Sequence, residues 1–241
     1  MTLTANELQA NLDVIEQVEK ATLRMVVQAI YDFREDAIEI FAGESDLVAD
    51  IGEDITREAL DRQGMPTIPV RLFGKIDYKR ATYLFQPEYA VRQALFVDSK
   101  AEKTEGARTA TIQTSQTSMR IRQIRQQQPV DIPGDMDAIA TVRGAEYLTN
   151  TIFVKYNYSE NTANNPPNHL ESISVLCLPN GLLQDRYNPT ANDTIWLAGR
   201  NAPSRGEAFR VRIGLAALKS KANWRVQTVA ADPAQPFAWD D

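Results

Sequence analysis

The chain contains very few of the residues that build disulfides and zinc centres: one cysteine and one histidine among 241 residues. A single cysteine excludes a disulfide or a thiolate metal cluster within one chain. With a single histidine as well, a zinc centre built by the protein is not expected. Cys177 lies in the apolar run of residues 173–178, and this setting predicts a buried, inert thiol.

Long apolar runs are also missing. No stretch of about eighteen apolar residues occurs, so no membrane-spanning helix is expected. Residues 1–7 lack the basic-then-apolar pattern of a secretion signal. The chain has no glycine-rich phosphate-binding loop, and we expect no ATP dependence. We therefore expect a soluble, intracellular protein that has no membrane partner.

The charge is unevenly distributed along the chain, although the net charge is only −6. Residues 1–61 hold fifteen Asp and Glu against four Lys and Arg, a balance of −11. Residues 200–225 hold seven basic residues and one acid, and residues 100–125 hold six basic residues and two acids. An acidic body with two basic segments is able to present a phosphate-binding face, whereas two solvated faces without a partner are the plainer interpretation.

The apolar pattern predicts helices first and strands afterwards. Spacings of three and four residues predict helix over residues 7–41, as one helix or two joined by a bend, and again over 47–63, where Gly64 and Pro66 end it. The predicted strands cover residues 69–73, 81–85, 94–100, 149–158, 171–178 and 208–213. We predict a loop over 101–110, helix over 111–128 and a short helix over 215–221.

These elements predict one α/β (α+β) domain over residues 1–241. The chain is long enough, and with 43% apolar residues apolar enough, to form a hydrophobic core that is stable without disulfides or a structural metal. Residues 1–66 are expected to be mainly helical, while residues 67–128 and 149–225 contain the strands. The strand of residues 149–158 alternates apolar and polar positions, which predicts that one of its faces is buried.

An apolar run over residues 94–97 leads directly into Asp98, Ser99 and Lys100. On a β-strand the side chains of residues i and i+2 share a face about 6–7 Å apart. Asp98 and Lys100 are therefore expected on one face of the strand, and Ser99 on the other. Asp77, 21 positions upstream, is placed to bring a second carboxylate from a neighbouring strand.

Two acids and a lysine suit a metal-dependent phosphodiesterase. Carboxylate and carbonyl oxygens are ligands that Mg²⁺ prefers, so we predict a site formed by Asp77, Asp98 and the main-chain carbonyl of Ser99. Lys100 is expected to hold the phosphate and to help activate the nucleophilic water, and Glu53 on the second helix adds a further catalytic acid. The alternative is a surface salt bridge between Asp98 and Lys100, worth about 0–1 kcal/mol.

Several longer motifs run along the chain in a fixed order. They are Val-Glu-Lys-Ala-Thr-Leu-Arg at 18–24, Glu-Asp-Ile-Thr at 53–56, Ile-Asp-Tyr-Lys-Arg at 76–80, Val-Asp-Ser-Lys-Ala at 97–101, Arg-Tyr-Asn-Pro at 186–189, Ala-Pro-Ser-Arg-Gly-Glu at 202–207 and Arg-Val-Arg at 210–212. In content, order and approximate spacing the chain resembles the SfiI family of type II restriction endonucleases. Several motifs in register are far more specific than one acid-x-lysine triplet.

The resemblance implies the PD-(D/E)xK nuclease fold, a mixed β-sheet flanked by helices, with an N-terminal helical segment. It implies that Asp77, Asp98 and Lys100 form the catalytic set with Mg²⁺ as cofactor, although Ile76 replaces the proline that gives the motif its name. It also implies double-stranded DNA as substrate, cut in both strands at a GC-rich interrupted palindrome to leave 3′ overhangs. The expected protein is a homodimer or a homotetramer (dimer of dimers) in the prokaryotic cytoplasm.

The resemblance also assigns DNA contacts. Arg108 and Arg212 match positions where the family places guanine-reading arginines, and the planar fork of arginine pairs well with guanine O6 and N7. Arg210 lies two residues from Arg212 and is expected on the same strand face. Arg200 and Arg205 are assigned to phosphate contacts, which position the protein without reading sequence.

Two other functions stay open at this point. One is a repair or recombination nuclease with the same metal centre and little sequence preference, which would degrade a large DNA to a smear. The other is a DNA-binding or assembly protein in which the acid-lysine cluster is structural only, which would not cleave DNA.

Overall fold

The structure is a computed structural model that describes residues 2–44, 48–64, 81–104, 108–160, 168–198 and 211–241, the side chains of residues 48–50 excepted. The helices are α1 (Ala5–Ala10), α2 (Leu12–Asp32), α3 (Arg34–Gly43), α4 (Val48–Gln63), α5 (Gln184–Tyr187) and α6 (Leu215–Lys221). The strands are β1 (Thr82–Gln86), β2 (Val91–Lys103), β3 (Thr109–Ile112), β4 (Ile121–Arg125), β5 (Gln128–Ile132), β6 (Ile139–Val142), β7 (Ala145–Glu160), β8 (Asn168–Leu178), β9 (Trp196–Ala198), β10 (Val211–Gly214) and β11 (Val226–Ala230).

The predicted N-terminal helical region forms three helices, with breaks at Asn11 and Phe33. Helix α1 begins at a capping box, in which the Glu7 amide donates to the Thr4 hydroxyl and the Thr4 amide donates to the Glu7 carboxylate. Helix α4 matches the predicted span of 47–63 closely and is followed by Gly64 at φ +63°, a backbone conformation that glycine adopts without strain.

The main sheet is mixed, as predicted. Its strands lie in the order β1-β2-β7-β8-β11, and β6 pairs with the first residues of β7. Strands β2 and β7 are parallel, and the other pairs in this sheet are antiparallel. A second sheet has the order β3-β10-β9, and β4 and β5 form a hairpin. The sequence did not predict the strands β3, β4, β5, β6, β9 and β11.

Both faces of the long central strand β7 are buried. Ile152, Val154 and Tyr156 face the core formed with α2, α3 and α4, as the alternation predicted. The prediction of a single buried face was wrong, because Phe153 and Lys155 on the other face are also buried. Phe153 packs there with Val211 of the small sheet β3-β10-β9. The central strand is thus enclosed between helices and a second sheet.

Two local predictions were wrong. The predicted loop 101–110 is in part strand, because β2 continues to Lys103 and pairs with β7 as far as Tyr158. The predicted helix over 111–128 is absent: residues 121–125 and 128–132 form the β4-β5 hairpin, in which Arg122 lies opposite Asp131. Cross-strand pairing outweighed the helix propensity of the glutamines.

Among the described residues, no helix is both long and apolar enough to cross a membrane. The predicted strand 69–73 lies outside the described residues, and so do residues 208–210 of the predicted strand 208–213. The remainder of that strand is observed as β10, and the short helix predicted at 215–221 is observed as α6.

Candidate active site

Asp98 and Lys100 lie on one face of β2 near its C-terminal end. Their charged groups are close, with Oδ2 of Asp98 3.4 Å from Nζ of Lys100, which confirms the spacing argument. Lys100 also donates to the main-chain carbonyl of Thr111 at 3.1 Å and lies 5.4 Å from the centre of the Phe153 ring. The ammonium group is therefore fixed from three sides while 36% of the side chain remains exposed.

Ser99 points to the opposite face, where its hydroxyl enters the core. It donates to the Thr56 hydroxyl of α4 at 2.7 Å, and Thr56 is hydrogen-bonded to the Tyr156 hydroxyl of β7 at 2.8 Å. All three side chains are buried, and burial raises the pKa of the Tyr156 phenol so that the group stays neutral. This hydroxyl chain ties the residue between Asp98 and Lys100 to a helix and to the neighbouring strand.

Helix α4 approaches β2 closely because residue 52 is glycine. A Cβ at Gly52 would lie 3.1 Å from Cδ2 of Tyr156 and 3.4 Å from the carbonyl carbon of Lys100. The next residue, Glu53, lines a cavity of about 360 Å³ together with Asp98 and Ser99. The structure thus brings the predicted helical acid to the same cavity as the predicted catalytic strand.

The chemistry of the Asp98 carboxylate fits a hard cation. Its Oδ2 atom is buried, lies 3.4 Å from the Lys100 ammonium and, within the described part of the chain, accepts no hydrogen bond, so it keeps lone pairs that a cation is able to use. No cluster of three or more acids, histidines or cysteines assembles among the residues that the structure describes. The predicted second carboxylate, Asp77, lies outside them.

Some of the predicted DNA-contact residues are likewise described by the structure, and others lie outside the described residues. Arg200, Arg205 and Arg210 lie outside the described residues. Arg108 is exposed in the turn before β3, and its carbonyl accepts a hydrogen bond from the Leu215 amide at 3.2 Å. Arg212 lies in the middle strand of the small sheet, opposite Thr111 of β3 and Leu197 of β9.

Arg212 is oriented away from the core. Its neighbours Val211 and Ile213 are buried, so strand alternation places Arg212 on the other face, beside the 43% exposed Leu197. Its Nε atom is buried and has no hydrogen-bond partner in the described ranges. The side chain as a whole is half-buried on the face that points away from the core.

Sequence reasoning missed three groups around this site, namely Thr56, Glu102 and Lys155. Thr56 belongs to the Glu-Asp-Ile-Thr motif, yet nothing in the sequence shows that its hydroxyl meets Ser99. For Lys155 the sequence gives one signal: the residue directly follows the apolar residues 152–154, where burying a charge without a partner costs free energy of desolvation.

Comparison with known proteins gives a consistent result. The family model described as type II restriction enzyme SfiI matches residues 31–229. The type II restriction enzyme SfiI of Streptomyces fimbriatus is 36% identical over 231 residues, which cover 91% of this chain and 85% of that protein.

Two solved structures share the fold. The crystal structure of tetrameric restriction endonuclease SfiI bound to cognate DNA has a TM-score of 0.83 at 33% identity, over 98% of this chain and 91% of that chain. Restriction endonuclease BglI bound to its DNA recognition sequence has a TM-score of 0.76 at 17% identity, over 94% of each chain. At that identity the likeness to BglI shows the fold alone.

Proposed function

We propose that this chain, which belongs to the SfiI family of type II restriction enzymes, uses Mg²⁺ to cleave double-stranded DNA at a GC-rich interrupted palindrome. Membership makes the chain a type II restriction enzyme, a site-specific DNA endonuclease. The proposal adds the cofactor, the kind of site and the product, which is cut in both strands and carries 3′ overhangs.

The observation that carries the metal-dependent chemistry is the Asp98–Lys100 pair. A carboxylate oxygen that accepts no hydrogen bond among the described residues lies 3.4 Å from an ammonium group, beside a cavity that Glu53 also lines. The ion pair with Lys100 leaves that oxygen without a hydrogen-bond donor among the described residues. An oxygen reserved for a cation and an amine suited to a phosphate are the two groups that phosphodiester hydrolysis needs at one place.

Each residue then has a separate task. Asp98, Asp77 and the Ser99 carbonyl would hold the cation, which when bound supplies Lewis acidity toward the phosphoryl oxygens. Lys100 binds the scissile phosphate, offsets its charge and orients the attacking water. Glu53, which reaches the same cavity from α4, is proposed to take up a proton from that water.

The proposed DNA contacts follow the basic segments. Arg108 and Arg212 read guanine through their planar forks in the major groove, and Arg210 is proposed to share the strand face of Arg212. Arg200 and Arg205 are proposed to contact phosphates, and such contacts make binding depend on salt. The exposure of Arg108 and the position of Arg212 on the strand face that points away from the core support this assignment.

The proposed assembly is a homodimer or a dimer of dimers working in the prokaryotic cytoplasm. A palindrome has two equal halves, so a two-fold dimer reads one half and cuts one strand with each subunit. The SfiI structure that this chain resembles is tetrameric. Sedimentation with and without a DNA duplex that carries the mapped site distinguishes a dimer from a tetramer.

Digestion of a sequenced genome tests the reaction. With Mg²⁺ we expect discrete fragments whose mapped ends share one interrupted GC-rich palindrome and carry 3′ overhangs, and with a chelator we expect intact DNA. A smear would indicate a nuclease with little sequence preference. Blunt ends or 5′ overhangs would refute the proposed product.

Substitution of Asp98 tests the site. Asp98→Asn removes the charge but little volume, so we expect cleavage to be lost while specific binding, measured by fluorescence anisotropy without metal, is largely kept. Glu160→Gln is the matched control, because Glu160 pairs with Lys103 at an exposed position, 2.7 Å away. Cleavage by Asp98→Asn at the rate of the unmodified enzyme would refute the assigned site.

A further inference from the structure

Two lysines from the central parallel strands hold the small sheet β3-β10-β9. Lys100 of β2 and Lys155 of β7 are register partners, so their side chains lie next to each other on one face of the main sheet. Lys100 donates to the carbonyl of Thr111 at 3.1 Å, and Lys155 donates to the carbonyl of Thr109 at 2.7 Å. Both acceptors belong to β3, which is therefore hydrogen-bonded to the strand pair that carries the candidate active site.

The small sheet also carries the candidate base-reading residues. Thr111 pairs directly with Arg212, and Arg108 immediately precedes β3. Lys155 holds β3 at Thr109, between these two positions. The distance from the Asp98 carboxylate to the arginine side chains is consequently set by how β3 is placed on β2 and β7.

A lysine in the interior makes this contact at a cost in desolvation free energy. The side chain is fully buried, and its ammonium pairs with Glu102 at 2.7 Å, a residue on the same strand face as Asp98 and Lys100. A buried ion pair contributes little to stability compared with apolar side chains of similar volume, because removing both charges from water is costly. A directional bond to one carbonyl gives what apolar packing lacks, a fixed position for β3 along the main sheet.

We propose that Lys155, anchored by Glu102, is a positioning residue that fixes the base-reading sheet relative to Asp98 and Lys100, so that reading of the site and cleavage are coupled. This inference rests on the proposed function. Its contacts with Thr109 and Glu102 connect Lys155 to β3 and β2, so we infer that it acts through the position of β3. In enzymes a misplacement of about 1 Å reduces rates by roughly a hundredfold.

The test compares Lys155→Met, Lys155→Arg and Glu102→Gln with Lys20→Met as control. Lys20 pairs with the exposed carboxylate of Asp241 and lies on α2, so its loss removes a lysine ion pair without touching β3. Two quantities are measured at a temperature where circular dichroism shows each variant folded. They are the single-turnover cleavage rate with Mg²⁺ on the mapped site, and the ratio of metal-free affinities for that site and for a site with one base pair changed.

For Lys155→Met we expect the rate to fall by about 10- to 100-fold, in line with a small displacement of the reading sheet. We also expect the affinity ratio to fall by about tenfold, because one mismatched base pair is worth about 1–3 kcal/mol when the readers are correctly placed. Lys155→Arg keeps a charged donor and should restore part of both. Glu102→Gln keeps the bond to Thr109 and should show a smaller loss of both, while Lys20→Met should match the unmodified protein.

The possible failures are distinguishable. A folded Lys155→Met variant whose rate and affinity ratio stay within twofold of the unmodified protein would overturn the inference, and so would a lower melting temperature with an unchanged ratio. If Lys155→Met does not fold, an unchanged ratio in Glu102→Gln overturns the inference in the same way and a lowered ratio supports it. Absence of cleavage by the unmodified protein with Mg²⁺ would count against the proposed function, and the metal-free affinity ratio, measured on a duplex selected by binding from random sequences, would still test Lys155.

Discussion

The buried hydroxyl chain beneath the candidate catalytic strand allows a prediction with an unusual sign. Thr56 is the centre of the chain, bonded to Ser99 at 2.7 Å and to Tyr156 at 2.8 Å. Thr56→Val keeps the shape of the side chain and removes the hydroxyl. It therefore leaves two buried hydroxyls, those of Ser99 and Tyr156, without a partner among the described residues.

The magnitude follows from the number of unsatisfied groups. A buried polar group left without a partner costs about 1–3 kcal/mol, so two such groups in Thr56→Val should lower the free energy of unfolding by roughly 2–6 kcal/mol. Tyr156→Phe leaves the Ser99–Thr56 bond intact and should cost only about 1 kcal/mol, the net value of one hydrogen bond. In the double variant only the Ser99 hydroxyl is unsatisfied, so it should be more stable than Thr56→Val alone.

Urea unfolding of the four proteins at neutral pH measures these differences, provided that the slope of free energy against urea is the same in all of them. The order expected is unmodified protein, Tyr156→Phe, double variant and then Thr56→Val. A double variant that is less stable than Thr56→Val would refute the reasoning. Because Ser99 lies between Asp98 and Lys100, Thr56→Val should also raise the Mg²⁺ concentration needed for half-maximal cleavage.

Other predictions concern the buried charges and the thiol. Glu19→Gln removes the buried carboxylate 2.6 Å from the fully buried Arg225 guanidinium and leaves it with the more distant, partly exposed carboxylate of Glu16 at 3.8 Å. We expect a loss of about 3–5 kcal/mol in urea unfolding, against about 0–1 kcal/mol for Glu160→Gln at the exposed pair with Lys103; equal losses would contradict the argument. Burial raises the pKa of the Cys177 thiol well above its ordinary value of 9.0, so a disulfide reagent at pH 8 should label it only after unfolding. Because the folded state holds the thiol proton more tightly, the contribution of Cys177 to the free energy of unfolding is present below about pH 9 and is lost as the pH rises through the raised pKa. Cys177→Ala should lack this loss of stability at alkaline pH. Labelling of the native protein at the rate of the unfolded protein would contradict the burial argument.

The sequence predicted those parts of the site that depend on local geometry. Asp98, Ser99 and Lys100 alternate across β2 because side chains on any strand do so, and an apolar run on the N-terminal side of the triplet identified that strand. The buried setting of Cys177 was equally local, since its neighbours on β8 are apolar. The end of helix α4 at Gln63 was predicted because Gly64 and Pro66 end the pattern.

The sequence did not predict the features that depend on contacts between distant segments. Residues 111–128 carry glutamines that favour helix, and only pairing of Arg122 with Asp131 across the hairpin shows why they form strands. The extension of β2 past Lys100 has the same cause. Glu102 and Lys103 are polar residues typical of a loop, but in the structure they form ion pairs with Lys155 and Glu160 of β7. Polar residues in a strand are stabilised by partners that the sequence does not identify.

The small sheet is the clearest case, because it joins β3 and β10 from parts of the chain about a hundred residues apart. The resemblance assigned Arg108 and Arg212 to base reading as separate residues. Pairing of β3 with β10 places Arg212 on this sheet and Arg108 in the turn immediately before it, and the bonds from Lys100 and Lys155 hold the sheet against the candidate catalytic strand and its neighbour. Lys100 consequently contacts both Asp98 and the strand next to Arg212, so under the proposed function a change at Lys100 is expected to affect cleavage and base reading together. For this reason Asp98→Asn, which is expected to stop cleavage and largely keep specific binding, separates the proposed catalysis from the proposed recognition more cleanly than Lys100→Ala does.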